Sequence, residues 1–244
     1  MSPRITTATA GRVLRQLRAD PRTVALLLVV PSALVCLLRW LYDGAPATFE
    51  RIGLPLLGVF PFVTMFLVTS VAMLRERTSG TLERLLTTRL SKLDLLLGYA
   101  LAFAVAALAQ AGLAVAVAVG ALGLAAPGGV GWLLVVAVAS ALLGTATGLL
   151  ASAFARTEFQ AVQFMPALVL PQFLLSGLLV PRQAMSGLLR ALSDVMPLSY
   201  AVDGMVRVGR GPADAALASD LAVVAGCAVA ALVLGAATLR RRTA

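Results

Sequence analysis

Six stretches of this chain, residues 23–41, 54–74, 95–118, 131–155, 161–180 and 217–239, are each predominantly apolar over about twenty positions, and that length limits what the chain can become. A helix rises about 1.5 Å per residue and the hydrocarbon layer of a bilayer is about 30 Å thick, so each stretch matches one crossing. Open strands at that depth would leave peptide groups unpaired, and a closed barrel needs short alternating strands rather than unbroken apolar runs. The spans are therefore helices. Apolar residues make up 60% of the chain and charged ones 13%, against roughly 25% charged in soluble domains. The sequence reads as a single all-α transmembrane domain over 1–244, with six transmembrane helices in contact with membrane lipid.

The net charge of +9 does not indicate a nucleic-acid partner, because the cations flank apolar runs instead of lining one polar face. With the N-terminus inside, fourteen cations fall on the cytosolic side: Arg4, Arg12, Arg15, Arg18, Arg22, Arg75, Arg77, Arg84, Arg89, Lys92, Arg156, Arg240, Arg241 and Arg242. Six fall outside: Arg39, Arg51, Arg182, Arg190, Arg207 and Arg210. The positive-inside rule then puts both termini in the cytosol, as an even number of spans requires. No short apolar region with a small-residue cleavage site opens the chain, so no cleavable signal peptide is expected. Abundant Ala, Gly and Arg with a single lysine fit a GC-rich bacterium, and the expected location is the bacterial inner or plasma membrane.

Residues 1–22 read as an amphipathic N-terminal helix in the headgroup layer, since Arg12, Arg15 and Arg18 recur every third position beside Val13, Leu14 and Leu17. The alternative is a solvated basic tail. Asp20 is placed to cap the next helix, with Pro21 at its first position. Arg39, Trp40 and Tyr42 read as interfacial anchors rather than a ligand site. The fifth span carries Gln160, Gln163 and Gln172 with Pro166 and Pro171, and its amides suit either helix packing or a polar path. Residues 181–216 are too polar to span and predict two short outer helices, 182–194 and 198–208, broken at Met196-Pro197. The run Gly144-Thr145-Ala146-Thr147-Gly148 suits close helix contact.

Several chemistries are excluded. Histidine is absent, which removes imidazole bases and imidazole metal ligands. The sole lysine, Lys92, follows Ser91, so no Gly-Lys-Ser/Thr phosphate loop exists. Cys36 and Cys227 lie inside spans and read as small buried apolar groups. No carboxylate sits at mid-membrane, which argues against an ion-driven carrier or an intramembrane protease. Asp94 and Asp220 lie at span ends and read as helix caps and dipole partners. Six spans without an engine place the energy source on another chain.

Between the second and third spans lies a charged stretch, 75–92. Within it Leu82, Leu85, Leu86 and Leu90 share one helix face, with Ser79-Gly80 before it, and Ser79 able to cap. By pattern alone this is either a docking helix along the membrane or a solvated loop.

The stretch Arg75-Glu76-Arg77-Thr78-Ser79-Gly80-Thr81-Leu82-Glu83-Arg84-Leu85-Leu86, followed by Ser91-Lys92 and Leu97-Gly98, resembles the signature of type-2 ABC exporter permeases, and among them the daunorubicin-resistance-like drug-exporter transmembrane proteins. Two further matches follow in the family's order: Leu175-Ser176-Gly177-Leu178-Leu179-Val180-Pro181 with Met196-Pro197-Leu198-Ser199-Tyr200-Ala201-Val202-Asp203, and Arg18-Ala19-Asp20-Pro21-Arg22. Arg89 stands where the family commonly has proline, which bears on the end of the helix.

The resemblance implies six helices, an N-terminal connecting helix, a cytosolic coupling helix and short outer re-entrant helices before the last span. It implies a second permease subunit, by expectation a homodimer, and two copies of an ABC ATP-binding subunit that carries ATP and Mg, with no cofactor in this chain. Carried over, Glu76, Gly80, Thr81, Glu83 and Arg84 would contact the ATP-binding subunit. The implied function is export of a hydrophobic or amphipathic small molecule, such as a drug or antibiotic, so efflux-based resistance. The chain itself is a transport subunit, not an enzyme. A candidate substrate path runs along the dimer seam through Phe60, Phe62, Met65, Phe66, Gln163, Phe164 and Phe173, because aromatic, Met and amide side chains suit promiscuous apolar ligands. Alternatives on the same fold are a lipid or glycan exporter, or a non-transport membrane sensor or immunity scaffold.

Overall fold

A computed structural model of the chain describes residues 3–79 and 92–238. Among the described residues it holds nine α-helices: α1 (Pro3–Ala19), α2 (Pro21–Leu41), α3 (Pro46–Thr78), α4 (Lys92–Ala116), α5 (Val130–Ala151), α6 (Glu158–Leu175), α7 (Gly187–Val195), α8 (Pro197–Arg210) and α9 (Ala215–Thr238). A π-helical turn, Val117–Ala121, extends α4. The chain is an all-α membrane protein.

The boundaries follow local chemistry. Asp20 caps α2, accepting from the Thr23 amide at 3.2 Å, with Pro21 in the first turn as the sequence predicts. Ser79, expected to open the coupling helix, instead closes α3, its amide donating to the Arg75 carbonyl. Thr157 caps α6 through the Gln160 amide. That helix ends at Leu175, short of the expected 180, because Ser176 turns back onto the Phe173 carbonyl and Gly177 takes φ +92.

Five helices among the described residues are long and apolar enough to cross a membrane: Pro21–Leu41, Pro46–Thr78, Leu97–Ala121, Val130–Ala151 and Ala215–Thr238. The remaining expected span corresponds to α6, whose 18 residues reach about 27 Å and include three glutamines and two prolines.

At the centre, α3 and α5 approach so closely that backbone touches backbone. A methyl group added at Gly144 would stand 2.2 Å from the Phe62 carbonyl oxygen, and one at Gly148 2.5 Å from that of Phe66. Polar groups follow the same line: Ser140 donates to the Gly58 carbonyl at 2.8 Å, and Thr69 to that of Thr145 at 3.3 Å. Positions 140, 144, 145 and 148 thus form one small-residue face of α5, the packing its sequence run suggested.

Around this pair the elements sort into two ends. One holds α1, the end of α3, the starts of α4 and α6 and the end of α5, joined by clusters that include Val13, Met73, Leu95 and Tyr99, and Leu74, Ala155 and Ala161. The other holds the end of α2, the starts of α3, α5 and α9, and α8. Every described segment expected in the cytosol lies at the first end, and every described segment expected outside lies at the second.

The two outer helices differ. On α7 an apolar face is open, with Leu188 and Val195 about three-quarters exposed. By contrast α8 is not a surface element: Leu198, Ala201, Val202, Met205 and Val208 are buried among α3, α5 and α9. The Gly128 amide donates to the Val208 carbonyl at 2.8 Å, stitching α8 to the loop before α5.

Replacing Gly144 by Leu should lower stability by roughly 2–3 kcal/mol or prevent insertion, since the added atoms must separate two backbones. Replacing Gly226 by Ala, where nothing lies within 4 Å, should be neutral or stabilise by up to about 1 kcal/mol. Thermal unfolding of the detergent-purified variants measures both.

Candidate functional site

The site begins with α1. Thr9, Ala10 and Val13 form its buried face, and they lie against α4 because Gly98 has no side chain there: a methyl group at Gly98 would fall 2.6 Å from the Thr9 Cβ. Thr6 reaches Asp94 in the first turn of α4 at 3.4 Å. Asp94 therefore sits at a helix start, as expected, but also binds α1. Arg4, Arg15, Arg18 and Arg22 remain exposed, away from the packed face.

One turn along, Arg12 binds two elements at once. Its guanidinium donates to Glu76 Oε1 at 3.2 Å and to the Tyr99 hydroxyl at 2.8 Å, and lies 5.8 Å from the centre of the Tyr99 ring. Gln16 Nε2 adds a bond to the same Glu76 oxygen at 3.2 Å. The Glu76 side chain is only 11% exposed, so its charge is neutralised within the chain. Arg12, Glu76 and Tyr99 thereby lock α1, α3 and α4 together.

A second lock ties α3 to α6. Arg75 donates to both carboxylate oxygens of Glu158, at 2.8 and 3.0 Å. The hydrogen bond from Arg75 holds the Glu158 carboxyl below its usual range. Asp20 is likewise held low, by the Thr23 hydroxyl and amide. Both stay ionised near neutral pH.

Of the residues expected to meet an ATP-binding subunit, Glu76 lies in the last turn of α3 within this network. Gly80, Thr81, Glu83 and Arg84 lie outside the described residues. The seven substrate-path candidates do not share one face. Phe62 and Phe66 are buried in one cluster with partly buried Phe60, Phe164 and Phe173, which brings α3 and α6 together. Met65 faces α4 in a different cluster, and Gln163 is exposed. Gln160 accepts from the Arg156 amide, and Gln172 donates to its own helix at the Leu168 carbonyl.

At the opposite end Arg182 grips Asp194 and Asp203 and lies 5.1 Å from the centre of the Tyr200 ring. This joins the loop after α6 to α7 and α8. Asp220 does not cap α9: it lies beyond the first turn and accepts from Arg207 of α8 at 2.8 Å. Asp214 does the capping, through the Leu217 amide. Sequence reading missed Arg12, Gln16 and Tyr99 as a unit, and the pairs Arg75–Glu158 and Arg207–Asp220. Each joins residues at least thirteen positions apart, which no local pattern reports.

Residues 4–208 match the family described as ABC-2 type transporter. Over 148 residues the chain is 28% identical to the probable multidrug ABC transporter permease YbhR of Escherichia coli strain K12, covering 61% of this chain and 40% of that protein. It is 25% identical over 138 residues to ABC transporter G family member 20 of Dictyostelium discoideum, covering 57% of this chain and 19% of that one. The chain thus spans less than half the length of these relatives.

A double-mutant cycle on Arg12→Ala and Glu76→Ala should give a coupling of about 1–2 kcal/mol in unfolding experiments, because the pair is largely shielded. The same cycle on Arg75 and Glu158, whose side chains are more than half exposed, should give no more than about 0.5 kcal/mol.

Proposed function

The chain belongs to the ABC-2 type transporter family, and from that premise we propose that it is the permease subunit of an ABC exporter, driven by ATP hydrolysed on separate ATP-binding subunits. The observation that carries this reading is the meeting of α1, the end of α3 and the starts of α4 and α6 at one end of the bundle, tied by Arg12–Glu76 and Arg75–Glu158. A force applied to the 75–92 loop reaches four helices through these contacts.

In this reading the locked end faces the cytosol, with both termini there, in a bacterial inner membrane. ATP closes the partner dimer, which carries ATP and Mg. Residues Gly80, Thr81, Glu83 and Arg84 take up the motion, and Glu76 passes it to α1. Two permease chains pair, and α6 completes a sixth span. The two end states must differ in affinity for nucleotide or cargo, or no work is coupled.

The cargo is a hydrophobic or amphipathic small molecule. Support comes from the multidrug description of the Escherichia coli relative and from the aromatic cluster shared by α3 and α6. The seam path through Phe60, Phe62, Met65, Phe66, Gln163, Phe164 and Phe173 requires the buried members to become accessible on dimer rearrangement.

Affinity purification of the tagged chain from native membranes in mild detergent, read by mass spectrometry, should recover an ATP-binding subunit stoichiometrically. The double substitution of Glu83 and Arg84 to Ala should lose that subunit while leaving the permease inserted. Recovery of the permease alone across several mild detergents would overturn the reading.

A further inference from the structure

At the end of the bundle opposite α1, a cavity of about 430 Å³ lies between the first turns of α3, the loop after α6 and the later turns of α8. Its depth follows from α3. Residues 52–74 carry no charge, and as a helix they rise about 34 Å, close to the hydrocarbon thickness of about 30 Å. Arg51 therefore stands at the hydrocarbon boundary of this end, the level at which phospholipids carry their phosphates.

A second arginine reaches the same level on α8. A methyl group added at Gly58 would stand 3.3 Å from the Met205 Cγ, and one at Gly209 2.3 Å from the Leu54 Cδ1, so α8 runs antiparallel along α3. Arg51 lies about one turn beyond Leu54, Arg210 follows Gly209, and both line the cavity as exposed residues. Among the described residues neither side chain forms a hydrogen bond or an ion pair, and the same holds for half-buried Glu50 on the same lining. The third lining guanidinium, Arg182, is committed to Asp194 and Asp203. Two cations and one carboxylate of the lining are thus uncommitted, while the charges of the whole group balance.

Two uncommitted guanidinium forks match the oxygens of a phosphate. A free carboxylate beside them matches an ammonium. A balanced site with both signs free suits a zwitterion better than a bare anion, which would also face three carboxylates. At the hydrocarbon boundary the zwitterion of that chemistry is a phosphoethanolamine headgroup. Leu179, on the lining and 59% exposed, offers apolar surface to its chains.

We propose that this cavity holds an aminophospholipid, its phosphate between Arg51 and Arg210, its ammonium at Glu50 and an acyl chain along Leu179. The leaflet is the outer one in the orientation proposed above. The lipid is a resident of the fold and not cargo: it bridges α3, α8 and the loop after α6, and none of the seam-path residues lines the cavity. Binding needs no ATP-binding subunit, so this inference and the exporter reading stand or fall separately.

The test is native mass spectrometry of the full chain in a neutral detergent, titrated with dioleoyl phosphatidylethanolamine or dioleoyl phosphatidylglycerol. These lipids share chains and phosphodiester and differ in the amine. One phosphatidylethanolamine should bind per chain, roughly tenfold more tightly than phosphatidylglycerol. The double substitution Arg51→Gln, Arg210→Gln should weaken both lipids by at least roughly tenfold, and Glu50→Gln should abolish the preference between them. Equal affinity for the two lipids, unchanged binding in the double arginine variant, or a preference retained in Glu50→Gln would each overturn the proposal. If a variant does not fold, the comparison of the two lipids on the unaltered chain carries the test. Excess inorganic phosphate should leave the lipid in place, and displacement would give the cavity to a soluble phosphate compound and overturn the lipid assignment.

Discussion

The close contact of α3 with α5 is the constraint on which the rest of the molecule rests. Helices in lipid gain little from hiding apolar surface, because the surrounding acyl chains are equally apolar, so association depends on close packing and on polar bonds. Gly144 and Gly148 let the α5 backbone meet the carbonyls of Phe62 and Phe66, and Ser140 and Thr69 bond across the same line. With this axis fixed, α3 presents its other faces to α2, α4, α6 and α8, and the remaining elements are placed by it.

Charge is handled by one rule at both ends. Carboxylates near the hydrocarbon are matched to an arginine from a different element: Glu76 to Arg12, Asp220 to Arg207, Asp203 to Arg182. Removing one partner of a shielded pair strands the other charge, so these pairs fix which elements sit together even where their net stabilisation is small. At the α1 end this produces a junction of four helices beside the 75–92 loop. At the far end the same device holds α7 and α8 against the bundle. Glu76 keeps one buried oxygen without a hydrogen-bond partner among the described residues.

Much of the fold is legible in the chain. Apolar runs locate five helices long enough to cross, and Asp20-Pro21 marks the start of α2. The break at Met196-Pro197 separates α7 from α8. The site is less legible. Asp220 reads as a cap because it stands near a helix start, yet Asp214 occupies the capping position and Asp220 answers to Arg207. Similarly, α8 reads as a surface helix because it carries charge and is short. Its buried face becomes apparent only when α3, α5 and α9 surround it.

By itself the sequence determined the apolar helices, the Asp20 cap of α2, the small-residue face of α5 and the kinship of the chain, because these depend on local periodicity, residue type and motif order. Tertiary structure alone decided which arginine answers which carboxylate, that α8 is a core element, and that α1, α2, α3 and α4 leave a recess between them. Those features join positions as distant as Arg12 and Tyr99. Their energies depend on distance and shielding in space, quantities that no spacing along the chain contains.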